Sequence, residues 1–537
     1  MNSESSPRPA RIILIIVIAA IVLVAGFFGL RNLVRGSGHP MPTLAPTAVA
    51  IQVTDEPTAT ATATATATRT SLPPTNTPEA TATEEVEEET ATPDGTTVAA
   101  SEPTEEPTPT QTLSPTPSPT SKPQLVPSLA LITGTRFIVN PNAATPVPTF
   151  AVPLGTTNIL LLGSDIALDE GVGRTDTMII LAINRDGPTA SMVSLPRDLW
   201  VYIPGWTNNR LNTALSRGSS VGFPGGAVAQ LTDTIMHNFG IPIHYYAQID
   251  FAGFKQGVDA IGGVEVAVSC QLRDWRLKSP ELDPENEDNW EMFTLEPGIH
   301  YMDGDMALWY ARSRRTTSDF DRGRRQQQLL RATLATGVDL NLLPQLPDLW
   351  STYQDTVKTN MDIGRMLQIA ALAPEIDKNG IQHLYLVGDD IQPYIVPESG
   401  AQVQLPVWEN MQDTLRRLFL PPALNQASRP PITVEVVNGT DNPDLALLAA
   451  DNLGWYGFEP IISDEQVEGQ RSTTIEYYAQ NTKGSFDWLL SWIMDKPKST
   501  IELVPDTVYD YDYRVVIGDE YDPCRPQLFA PQIYVAQ

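Results

Sequence analysis

Long uncharged runs separated by short polar breaks mark the middle of the chain. Asn158-Ile-Leu-Leu-Leu-Gly-Ser-Asp165 reads as a buried strand that ends in a carboxylate. Arg174-Thr-Asp176 leads into a second buried run, Thr177-Met-Ile-Ile-Leu-Ala-Ile-Asn184. Asp186-Gly187 is a turn signal, and the third run, Ala190 to Leu195, ends at Pro196-Arg197-Asp198. Residues 166–175 are too few for a parallel crossover with its helix, so strands one and two should be antiparallel and two and three a hairpin. That topology puts Asp165, Arg174, Asp176 and Arg197 at one edge of the sheet.

Helical periods alternate with such strands from about Val152 to Pro421, which predicts one large α/β domain with a mixed central sheet flanked by helices. Gly225 to Gly240 is an amphipathic helix with Val228, Leu231, Ile235 and Phe239 on one side and Gly240 as its stop. Asp259 to Val266 reads as a helix end turning into a strand, Met306 to Ala311 as a helix, and the stretch after Asp321 as another, with Leu329, Leu330 and Leu334 inward. A polar linker from Asn425 to Pro431 precedes a second, small α/β unit over residues 432–522.

The pattern is different before Val152. Ile12 to Leu30 is uncharged and just long enough to cross a bilayer as a helix. A cleaved signal peptide is the competing reading, but no small-x-small site follows, and an uncleaved anchor is preferred. The flanking arginines tie, two against two, so the bulk of the chain sets the orientation: residues 1–11 inside, the remainder outside a plasma membrane crossed once. Thr and Pro dominate residues 31–150, and Met41 to Thr120 holds no aromatic residue, which predicts a disordered, semi-extended stalk of a composition suited to O-glycosylation.

Composition narrows the chemistry. The net charge of −29 disfavours nucleic acid. The five histidines form no metal motif, and Cys270 and Cys524 read as two buried thiols rather than a bridge. Against this acidic background, residues 312–331 carry seven arginines and two aspartates. Arginine forks grip phosphate oxygens in bidentate fashion, and the first turn of the helix that follows could add backbone N–H groups. Carboxylates beside arginines at one edge make a cation–phosphate site; the alternative is ordinary strand-end ion pairs and a solvated basic face. No Walker loop, GxSxG or dinucleotide fingerprint is present.

Asn158 to Asp165, Arg174-Thr-Asp-Thr177, Ser194-Leu-Pro-Arg-Asp198, Arg210-Leu-Asn212, Val258 to Val264, Tyr310-Ala-Arg-Ser-Arg314 and Asp319-Phe-Asp-Arg-Gly-Arg-Arg-Gln326 together resemble the motifs of the LytR-CpsA-Psr (LCP) family. The core motifs span residues 158–337 within a domain of 152–421. Val436-Val-Asn-Gly-Thr440, Gly457-Phe458 and Val516-Ile-Gly518 resemble the C-terminal domain often appended to such proteins. The resemblance implies an LCP-type α/β/α fold and a Mg²⁺-dependent phosphotransferase, with Mn²⁺ as an alternative ion. Such enzymes move a glycopolymer from a polyprenyl-pyrophosphate carrier onto peptidoglycan. By motif match Asp165 and Asp176 would hold the metal, and Arg174, Arg197, Arg312, Arg314, Arg322, Arg325 and Gln326 the pyrophosphate, with Asp319 supporting the arginines. Asp176, Arg197 and Arg314 would be catalytic, Asp176 as the proton acceptor. The prenyl chain would lie in an apolar pocket under the sheet. The acidic stretch Ser279 to Glu291 departs from the pattern and is placed as an inserted loop near the site. A non-catalytic lipid-binding or regulatory protein and a lipid pyrophosphatase remain as rivals.

Overall fold

The computed structural model describes residues 144–165, 168, 173, 175–340, 344, 347, 350, 356–421, 431–478, 486–505 and 509–525. The expected cytoplasmic tail, membrane helix and most of the stalk lie outside these residues, as does Arg174. No helix among the described residues is long and apolar enough to cross a membrane.

The central sheet has six strands: β1 (Thr156–Ser164), β2 (Thr175–Asn184), β3 (Thr189–Ser194), β4 (Tyr245–Asp250), β5 (Val357–Thr359) and β6 (Ile381–Tyr385). Their order is β5-β4-β1-β2-β3-β6. β1 is antiparallel to β2 and β2 to β3, as the short connections predict, while β4 joins β1 and β6 joins β3 in parallel. Sheet alternation sends successive residues of the central runs to opposite faces. Ile159, Leu161, Ile179 and Leu181 enter one core with helices α2 (Phe251–Ala260), α3 (Gly304–Arg312) and α4 (Asp319–Asp339). Leu160, Leu162, Met178 and Ile180 enter the other with α1 (Ala227–Phe239). Both faces are covered, which is why these strands read as continuous apolar runs rather than alternating ones. Gly240 ends α1 in the left-handed region, at φ 66°.

Two further strands, β7 (Ile391–Ile395) and β8 (Gln402–Pro406), form a hairpin anchored by a bridge between Leu199 and Gln404. The acidic stretch forms the tip of another hairpin, Leu272–Leu277 with Trp290–Leu295.

After residue 431 the chain builds a five-stranded sheet with a core of its own, from β9 (Thr433–Asn438), β10 (Glu459–Gln466), β11 (Thr474–Tyr478), β12 (Ile501–Val504) and β13 (Tyr513–Ile517). Helix α5 (Pro443–Trp455) packs between this sheet and the first unit, where Asp444 Oδ2 accepts the Ile299 N–H at 3.1 Å. The expectation of two free thiols is corrected here. Cys270 and Cys524 form a disulfide across a sequence separation of 254. They meet because α5 docks beside the Ser269–Cys270 segment, where Ser269 Oγ donates to Asn452 Oδ1 at 3.4 Å.

Candidate functional site

The ends of β1, β2 and β3 do share one edge. Register shifts at Gly163/Ser164, and Gly163 lies opposite Thr177, whose side chain would sit 3.0 Å from an added Cβ. Such a bulge turns the residues after it away from the ladder, and Asp165 follows, exposed. Asp250 Oδ2 accepts the Leu168 N–H at 3.0 Å, while its Oδ1 caps α2 at Gly253.

Arg197, just past β3, is the hub. Its Nη1 lies 2.8 Å from Asp176 Oδ2, and its Nε lies 3.3 Å from Asp198 and 3.9 Å from Asp319. Partial burial opposes its charge, but the hydrogen bond to Asp176 and the surrounding carboxylates outweigh this and raise its pKa. Arg322 is buried, with Asp319 at 3.5 Å; burial lowers its pKa, Asp319 opposes that shift, and nearby Arg197 adds to it. Asp319 therefore does lie between Arg197 and Arg322. Arg312 rests over the Phe251 ring at 4.2 Å; desolvation lowers its pKa, against the pull of Asp176 and then Asp165. Arg314 is exposed, and its backbone N–H is fixed at 2.9 Å by Asp274 of the acidic hairpin.

Two expectations about the arginine stretch need revision. Arg325 is placed with the others in sequence, yet its guanidinium is taken up by the chain itself. Nε donates to Tyr310 O at 2.9 Å, Nη1 to Thr317 Oγ1 at 3.2 Å and Nη2 to Ser313 O. It staples the α3–α4 connection that carries Arg314. The start of α4 is likewise no open anion nest. Ser318 and Asp321 form a reciprocal capping box, and Asp319 adds a second carboxylate to the first turn.

Three cavities follow one another across this edge. An apolar one of about 110 Å³ lies under the sheet between Leu161, Ile179, Phe254, Leu308 and Leu329, with Arg312 and Gln326 among its lining. A small one of about 30 Å³ shares Gln326 with it and adds Asp176, Arg197, Asp319, Arg322 and Tyr385. A polar one of about 750 Å³ shares Asp176 and Arg197, and runs past Asp165, Asp198, Arg210 and Asn212 to Tyr394 and Gln404 on the β7–β8 hairpin. Sequence reasoning missed this far wall. Arg210 and Asn212 sat in a quoted motif without a role, and nothing local ties residues 394–404 to Asp165. Tyr385 was missed too; its hydroxyl is buried without a hydrogen-bond partner.

The fold is a mixed α/β domain in which carboxylates at one end of the central sheet face arginines from the end of β3 and from α4. The profile of the LytR_cpsA_psr family matches residues 140–417, just over half of the chain, and the chain belongs to that family. The "Polyisoprenyl-teichoic acid--peptidoglycan teichoic acid transferase TagU" of Halalkalibacterium halodurans is 31% identical over 258 residues, 46% of this chain and 76% of that protein. TagT of Bacillus subtilis, named for the same transfer, is 27% identical over 44% of this chain and 69% of its own length. The "Probable cell wall biosynthesis protein LcpB" of Corynebacterium glutamicum is 36% identical over 36% of this chain and 44% of its own length. A crystal structure of B. subtilis TagV aligns with 50% of this chain and 98% of its own at 23% identity, with a TM-score of 0.40.

Proposed function

We propose that this chain is a phosphotransferase that moves a glycopolymer from a polyprenyl-pyrophosphate carrier onto peptidoglycan. The observation that carries the reading is the row of three cavities. An apolar tail, a diphosphate and a glycan follow one another in such a substrate, and the cavities follow in the same order, sharing Gln326 at one junction and Asp176 and Arg197 at the other. The apolar cavity opens to solvent on one side and offers Leu161, Ile179, Phe254, Leu308 and Leu329 to the hydrocarbon of the carrier.

The donor set suits Mg²⁺. Asp165 and Asp176 line one cavity, and no group of three or more acidic, His or Cys side chains gathers for a metal among the described residues. Mg²⁺ takes one or two carboxylates and leaves the rest of its shell to water and phosphate oxygens. When bound, it would neutralise charge on the diphosphate. The chain's own residues do the rest. Arg197, Arg322, Arg312 and Arg314 bind the diphosphate oxygens and stabilise the charge that develops on the leaving polyprenyl phosphate. Asp176, with Oδ2 on Arg197, offers Oδ1 to the cation or to the proton of the attacking sugar hydroxyl. That oxygen bonds to the glycan-side phosphorus, the bridging P–O bond breaks, and its electron pair leaves on the polyprenyl monophosphate. The exposed ring of Tyr394 and the Arg210–Asp198 pair, 3.0 Å apart, give the large cavity a wall for sugar.

In this reading Ile12 to Leu30 anchors the chain with its N-terminus cytoplasmic and the bulk outside. The test incubates the purified chain with lipid-linked glycan, Mg²⁺ and peptidoglycan fragments and follows the phosphate. Phosphate in a glycan–peptidoglycan diester is the expected result. Release to water would make the chain a pyrophosphatase, and binding without turnover a scaffold.

A further inference from the structure

The seven arginines of residues 312–331 do not serve one site. Helix α4 has two functional faces. At 3.6 residues per turn, Arg322 and Gln326 lie about 40° apart, whereas Arg324 and Arg331 lie about 20° apart and roughly 180° from Arg322. The first face lines the diphosphate cavity. The second is gripped by the C-terminal unit.

That grip is dense and buried. Arg331 forms an ion pair with Asp451 Oδ1, with side chains 7% and 3% exposed. Arg324 Nη2 donates to Asn452 Oδ1 at 3.0 Å. Both guanidinium groups lie over the Trp455 ring, at 5.3 and 5.0 Å, and His383 stacks on the same ring at 3.7 Å. Asn452 Nδ2 donates to Pro523 O at 3.0 Å, one residue before the Cys524 half of the disulfide. Between the two faces Gln327 Nε2 donates to Ser194 Oγ at 2.8 Å, and its Oε1 lies 2.9 Å from His383 Nδ1, tying the helix to the end of β3 that leads to Arg197.

From this geometry we infer that Asp451, Asn452 and Trp455 are positioning residues of the transferase site: they set the rotation and axial height of α4, and so aim Arg322 and Gln326 at the diphosphate. A buried charge cannot slide along its partner without losing the opposite charge that compensates it, so the pair fixes the height of the helix, and the ring beneath both guanidiniums fixes its rotation. The C-terminal unit is thus a working part of the clamp, which goes beyond the reading above while resting on its assignment of the diphosphate.

The test uses the full chain in detergent, with farnesyl diphosphate and Mg²⁺ as the probe, and hydrogen exchange over residues 319–331 as a second readout. Asp451→Leu strands the Arg331 cation; it is expected to loosen exchange in that segment and to weaken probe binding about tenfold or more in the folded fraction. Arg331→Met with Asp451→Leu replaces the pair by apolar contact and is expected to restore both readouts to within about threefold of the parent. A merely stabilising contact would shift the melting temperature of the single variant without moving probe affinity, and that result overturns the inference. So does a double variant as weak as the single one. If Asp451→Leu does not fold, Asn452→Ala keeps the ion pair and reads the same effect at smaller size; parental exchange and affinity there overturn the inference as well. A parent chain that binds no farnesyl diphosphate overturns the diphosphate reading instead, and exchange alone then decides whether the C-terminal unit holds the helix.

Discussion

Replacing Arg322 by lysine keeps a positive charge in place and removes only its geometry. The guanidinium is 8% exposed, and its ion pair is the 3.5 Å approach to Asp319, itself 37% exposed. A solvated partner of that kind contributes little, so the free end of the fork is what a phosphate would use. A lysine ammonium reaches one oxygen where the fork reaches two. Losing one charge-assisted hydrogen bond costs about 1.5–3 kcal/mol, roughly a ten- to hundredfold fall in transfer rate. A second effect follows from burial. Desolvation and the neighbouring Arg197 and Arg314 lower the pKa of Arg322, and the same surroundings would push a lysine below its ordinary range. The variant should therefore lose more activity at about pH 9 than at about pH 7, while the parent, charged throughout, should not. Initial rates of lipid-linked glycan transfer at the two pH values are the assay. Rates within about twofold of the parent at both would refute the clamp, because a charge-conserving swap on a passive basic face costs about that little. Arg314→Lys should cost less, since its exposed side chain shares any phosphate with water.

Asp176→Asn should abolish Mg²⁺-dependent transfer while leaving the thermal unfolding of the chain nearly unchanged, since Asp176 sits at a sheet edge; retained, EDTA-sensitive turnover would count against its role. Arg325→Lys should act on stability more than on chemistry, lowering the melting temperature by loosening the α3–α4 connection, which a thermal melt reads directly. His244 is buried, accepts the Asn158 N–H on Nδ1 at 2.9 Å, and has its pKa lowered to about 4, chiefly by desolvation. Its neutral form is favoured by folding, so this contribution, about 3 kcal/mol, is present above the unfolded value and is lost as pH falls from about 6.5 to 4; urea midpoints that stay flat across that window would contradict it. Cutting the disulfide by Cys524→Ser removes a cross-link over 254 residues, about 5 kcal/mol in the chain-entropy account, and should lower the urea midpoint of the C-terminal unit.

The three central strands were legible because burial on both faces leaves a continuous apolar signal, and ten residues of connection left one topology for them. The parallel partners β4 and β6 were not, because pairing across such separations is decided by the packing of helices that the local pattern does not rank. Ser318-x-x-Asp321 is a readable capping signal, and missing it moved the start of α4 past Asp319. The arginine stretch stood out by its composition, but not as residues that part to opposite faces of one helix. Helical period alone separates Arg322 from Arg324 and Arg331, yet nothing near them in sequence says that Asp451 and Trp455 wait on the far side. The cysteines failed for the same reason: their meeting is a property of how two units dock.

The apolar cavity is walled by the sheet and by three helices. Its ceiling is the sheet, where β1 and β2 pair along nearly their whole length, and one side is α4, held from behind by α5. The remaining side is α2 and α3, which bring Phe251, Phe254, Leu308 and Ala311 to the cavity. Arg312, at the end of α3 with its guanidinium on Phe251, lines the same cavity, and Arg325 ties that end of α3 to α4 through Tyr310 O and Ser313 O. The end of α3 and the start of α4 thus act as one corner, so under the proposed reading a carrier's hydrocarbon and its diphosphate would be seated against the same pair of helices.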